Sequence, residues 1–98
     1  MIEGYSYTVI NAAPDRAPRI QVAFHLDGKA RIEVHGAGGD KPFLCVTHGG
    51  ADVIFAPTPE PVTATDARLA RDLATATAQY AAEVERVLAA QQAASPAA

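Results

Sequence analysis

The chain carries three histidines and one cysteine, the side chains best suited to metal ligation or nucleophilic attack. Cys45 and His48 are three residues apart, which in a regular strand puts them on opposite faces. A Cys–His nucleophile pair needs hydrogen-bond reach, so Cys45 reads as a buried structural thiol, and a lone cysteine allows no internal disulfide. His25 and His35 would stand at opposite ends of one hairpin face, roughly 20 Å apart along the ladder, too far to share an ion. Neither a metal site nor a cofactor is expected. His48 is the one candidate for proton transfer, since the turn His48-Gly49-Gly50 would hold an imidazole at the surface with Asp40 or Asp52 nearby.

Gly36-Ala37-Gly38-Gly39 has the composition of a phosphate loop. Such loops work by leading successive N–H groups into a helix, whereas Pro42-Phe43 opens a strand here and no Gly-Lys-Ser/Thr follows. It reads as a plain connection. A third candidate is a basic face: Arg19, His25, Lys29, Arg31 and His35 would gather on the outer side of a hairpin, with Glu33 the only carboxylate among them. Such a face is the ordinary solvated side of an antiparallel sheet, or else an anion or partner surface.

These positions depend on the elements that carry them. Alternating Tyr, Thr, Val and Ile make a strand of residues 5–11, and two prolines interrupt residues 12–18. Residues 19–26 and 29–35 alternate strictly, with Ile20, Val22, Phe24 and Leu26 facing Ala30, Ile32 and Val34. A three-residue loop of Leu26-Asp27-Gly28 keeps both apolar sets on one face, and predicts Gly28 in the left-handed region. Residues 42–47 and 52–56 follow; Phe43-Leu44-Cys45-Val46 and Val53-Ile54-Phe55 are apolar on both faces, which suits central strands or a covered far face. Pro57, Pro59 and Pro61 end the sheet.

A helix over 64–91 is the clearest element. Thr63 is its N-cap, Asp66 stands at the capping-box position and Val62 suits a staple. Leu69, Leu73, Ala76, Tyr80, Val84 and Val87 recur at helical steps. Beside them runs a small-residue stripe, Ala67, Ala70, Ala74, Ala78 and Ala81, suited to close approach by a partner. At ~1.5 Å per residue the helix is about 42 Å long, longer than strands of about 20 Å. Residues 93–98 read as a flexible tail after a single domain of 1–92.

Ninety-eight residues, 49% of them hydrophobic and 19% charged, fit one small globule. No run approaches ~18 uncharged apolar residues, so no membrane span is expected. A net charge of −3 argues against nucleic acid as a partner. Met1-Ile2-Glu3-Gly4 lacks the basic and apolar regions of a secretory signal, which leaves the cytoplasm as the expected location. Twenty-two alanines, and six arginines against two lysines, are GC-rich codon choices, those of a high-GC bacterium or its phage.

Val62-Thr63-Ala64-Thr65-Asp66, followed by Leu69-Ala70, is similar to a helix start near the C-terminus of the pterin-4a-carbinolamine dehydratases, small α+β chains that oligomerise. The similarity covers residues 62–70 alone. The His-His-Pro signature of that family is absent, as is the helix between its strand pairs. The residues themselves describe any capped helix, and no family is assigned.

The expected architecture is α+β: an antiparallel sheet of four or five strands, with one long C-terminal helix packed on one face. A helix longer than its sheet and strands apolar on both faces leave surface that a monomer struggles to cover. The expected function is a non-enzymatic protein-interaction module or assembly subunit, homo-oligomeric or bound to another protein. The alternative is a small-molecule site or small enzyme where loops 36–41 and 48–51 converge around His48.

Overall fold

The computed structural model describes residues 3–59 and 61–94. The chain is α+β, with five strands followed by one helix: β1 (Tyr5–Ala13), β2 (Arg16–His25), β3 (Arg31–His35), β4 (Phe43–His48), β5 (Ala51–Phe55) and α1 (Ala64–Ala94). The strands form two antiparallel sheets, β1-β2 and β3-β4-β5, in place of the single sheet expected. It divides into two compact units, one holding the strands and ending at Pro57, the other beginning at Thr58 and holding α1.

The principal correction concerns β2. It pairs with β1, from Tyr5↔His25 to Ala13↔Arg16, and not with β3. Both prolines read as breakers are accommodated. Pro14 sits in the two-residue turn with Asp15. Between Asn11↔Arg19 and Ala13↔Arg16, β1 advances two residues and β2 three, so Ala17-Pro18 form a bulge. A bulge leaves one residue without a ladder partner, which suits a residue lacking an N–H.

The expected Leu26-Asp27-Gly28 hairpin loop is therefore a connection between sheets. The Ala30 N–H donates to the Asp27 carbonyl at 3.0 Å, and Gly28 is not among the positive-φ glycines, which are Gly36, Gly38 and Gly49. The turn closes because Asp27 Oδ1 accepts the Lys29 N–H at 2.9 Å, an aspartate reaching two residues onward.

In the second sheet β4 is central, as its composition suggested, whereas β5, read as central on the same ground, is an edge strand. The registers Val34↔Leu44, Ile32↔Val46, Val46↔Val53 and Leu44↔Phe55 put six apolar side chains on one face. The other face is mixed: Arg31, Glu33 and His35 beside Phe43, Cys45 and Thr47, then Asp52 and Ile54. Cys45 is the only buried side chain among the described residues, and its Sγ lies 3.4 Å from Thr47 Oγ1.

The helix begins where the sequence placed it and runs three residues further than expected, to Ala94. Its start is a reciprocal capping box: the Asp66 N–H donates to Thr63 Oγ1 at 3.2 Å, and the Thr63 N–H donates to Asp66 Oδ2 at 2.9 Å. That Thr63 N–H holds the Asp66 carboxyl below the usual carboxylate range. Of the expected tail, residues 93 and 94 are helical and 95–98 lie outside the described residues. No described helix is long and apolar enough to cross a membrane.

Candidate functional site

The most organised polar cluster joins three separate segments through Asp27. Its Oδ2 accepts the Gly4 N–H at 3.0 Å, while Oδ1 accepts the Lys29 N–H and lies 3.1 Å from His48 Nε2. The Gly4 and Lys29 N–H groups are the main cause of a carboxyl pKa lowered from 3.8 to about 2; two backbone donors to one carboxylate favour its charged form. The approach of Gly4 is tight: a Cβ there would overlap the His25 carbonyl oxygen and stand 2.9 Å from His48 Cε1.

His48, the candidate proton-transfer residue, is thus no exposed turn imidazole. It is the last residue of β4, its side chain is 10% exposed, and one ring nitrogen is engaged by Asp27. The chemistry of this set is that of a clasp, in which a charged acceptor fastens the approach to β1, the β2–β3 connection and the end of β4. Asp52, one expected helper, instead accepts from Thr47 Oγ1 at 2.7 Å on the opposite face of the sheet. The loops of residues 36–41 and 48–51 do not converge. They adjoin opposite ends of β4, with His35↔Phe43 at one end and His48↔Ala51 at the other, roughly 17 Å apart at strand rise.

The expected basic face is divided. Arg19 and His25 belong to β2, Lys29 to the connection, and Arg31 and His35 to β3 in the other sheet. The reason is the pairing of β2 with β1, which removes the β2–β3 hairpin that would have gathered them. On β3 the charge is moderated by Glu33, 3.9 Å from both Arg31 Nε and His35 Nε2. His35 stacks on Phe43 across the ladder, centroids 5.1 Å apart. His25 stacks on Tyr5 at 4.4 Å and on Tyr7 at 5.8 Å. This aromatic cluster follows from the register Tyr5↔His25, which no local pattern announced. Among the described residues no three His, Cys, Asp or Glu side chains come together as metal ligands would.

The larger feature is apolar. On the β3-β4-β5 face Ile32 and Val34 are each 64% exposed and Phe55 46%. Ile10, Ile20 and Val22 share one face of the β1-β2 hairpin and are exposed as well. Along α1, Leu69, Tyr80, Val84, Val87 and Leu88 are exposed, as are all five alanines of the small stripe, Ala67, Ala70, Ala74, Ala78 and Ala81. No protein-family model, curated protein or solved structure matches the chain.

Proposed function

We propose that this protein is a non-enzymatic self-associating module, a homo-oligomeric interaction protein or assembly subunit of bacterial or phage type that acts in the cytoplasm. The observation that carries the reading is the face of β3-β4-β5 built on six apolar side chains, with Ile32, Val34 and Phe55 left open, in a unit with one buried side chain among the described residues. A free-standing domain of about 60 residues buries roughly 60% of its chain's surface. A lone two-stranded hairpin is marginal in water, and β1-β2 is such a hairpin.

Magnitudes favour more than one contact surface. Three of those six side chains, Ile32, Val34 and Phe55, are about half exposed, and taking them to burial is worth about 3 kcal/mol per copy, from 1.5–3 kcal/mol for each complete transfer. Association itself costs about 4–15 kcal/mol. Two copies burying the sheet face therefore reach only the low end of that cost, and the Leu69-to-Leu88 stripe of α1, closed over by a second copy, supplies the remainder. A second copy is the natural occupant because it brings the same open faces in equal number, the condition for an isologous interface.

Sedimentation equilibrium on the full chain tests this. A dimer or larger closed oligomer at micromolar concentration is expected, with Val34→Asp shifting it toward monomer. A folded, cooperative monomer at that concentration overturns the reading.

A further inference from the structure

We propose that the tip of the β1-β2 hairpin is a phosphate-binding site, held by Arg16 and Arg19 and assisted by Asn11 and Gln21. Arginines three apart on a regular strand face opposite ways. Here the Ala17-Pro18 bulge changes that: Arg16 pairs with Ala13 and Arg19 with Asn11, and Ala13 and Asn11 are two apart on β1. Directly opposed residues share a face, so both guanidiniums project on the side that carries Asn11 and Gln21.

These four polar residues line a hollow of about 430 Å³ whose remaining lining is Ala12, Ala13 and Ala17. The alanines leave the space and the long side chains border it. No carboxylate lines it, Asp15 of the adjacent turn included. Neither arginine is in an ion pair among the described residues, whereas Arg31, Arg68 and Arg86 each stand within 4.0 Å of a carboxylate. In a chain of net charge −3, two uncompensated guanidiniums in one hollow are a concentrated positive site.

The ligand class follows from counting. A carboxylate is satisfied by one guanidinium fork. A phosphate monoester dianion has two charges and three terminal oxygens, matching two guanidiniums plus amide donors. The side-chain oxygens of Asn11 and Gln21 can accept hydroxyls from the rest of the ligand. All the lining side chains but Ala13 are solvent-exposed, so the competing hydration is strong and the affinity expected is millimolar.

The test is titration of the 15N-labelled protein with inorganic phosphate, against chloride at matched ionic strength. Saturable shifts confined to residues 11–21 are expected, weakened at least about tenfold when Arg16→Gln and Arg19→Gln are combined, since both charge-assisted contacts are then lost. Undisturbed spectra elsewhere establish that the variant is folded. Glycerol phosphate and phosphatidic acid vesicles then separate the sources: shifts with the first assign a soluble phosphomonoester, and co-sedimentation with the second a lipid headgroup. Shifts equal in chloride, absent with phosphate, or indifferent to both substitutions overturn the site.

Discussion

His48 Nε2 lies 3.1 Å from Asp27 Oδ1 although the two residues belong to different segments, one ending the central strand of the second sheet, the other opening the connection that leads out of the first. Asp27 is held in place from its other oxygen by the Gly4 N–H. The contact therefore depends on a glycine, because a side chain at position 4 would enter the space of the His25 carbonyl. Gly4→Ala should destabilise the strand unit by about 1–3 kcal/mol, the range for forced local rearrangement. Thermal unfolding followed by circular dichroism checks this; a Tm unchanged from wild type contradicts it.

The same carboxylate sets an acid limit. Asp27 titrates near 2 when folded, against 3.8 in its ordinary state. A depressed folded pKa contributes stability that is complete above the unfolded value and is lost as pH falls toward the folded one. Stability should therefore decline between about pH 4 and pH 2, as unfolded chains take up the proton first. Asp27→Asn should flatten that decline in denaturant titrations at stepped pH. It should not abolish it, since Asp66 is also depressed by its N–H donors.

Thr63→Ala removes the acceptor for the Asp66 N–H and the hydroxyl that donates to Asp66 Oδ2. Loss of such a cap costs about 1 kcal/mol. The expected outcome is a fall in helical ellipticity and in Tm, with Thr63→Ser restoring both.

On α1, Tyr80 is 70% exposed, while Leu73 is half-buried. Tyr80→Asp should weaken self-association without reducing helix content, because nothing within the helix depends on the ring. Analytical ultracentrifugation and far-ultraviolet circular dichroism on the same sample separate the two effects. An unchanged oligomer removes α1 from the interface.

Cys45 is buried at the centre of β4. A thiol reagent should modify it slowly in the native protein and promptly in denaturant, with a native rate that tracks local opening. Prompt native labelling would mean that β4 is not the protected centre of its sheet.

The helix was legible in the sequence because its signals are local: Thr63 and Asp66 are three residues apart, and Leu69, Leu73 and Tyr80 repeat at the helical period. Strand existence was legible for the same reason, with errors of a few residues at the ends. Pairing was not. Alternation in residues 19–26 and 29–35 fits a hairpin between them and equally fits each strand pairing elsewhere. In the structure β2 joins β1 through the Pro14-Asp15 turn, and Asp27 turns to accept the Gly4 N–H across twenty-three positions of sequence. The separation of the basic residues follows from that pairing, whereas the 36–41 and 48–51 loops lie apart because one precedes β4 and the other follows it. Arg19 is visible in the sequence as part of the basic face, but its alignment with Arg16 is not, because the bulge that brings them to one side shows only in the register; Pro18 between them is its one trace.

The solitary burial of Cys45 has a thermodynamic consequence. Unfolding a chain in which one described side chain is buried releases little apolar surface, and both the heat-capacity increment and the denaturant slope scale with that surface. The chain alone should therefore melt broadly. A sharp transition would report surface hidden between copies, and its midpoint would climb with protein concentration as mass action requires. For such a molecule, a stability quoted without a concentration has no defined value.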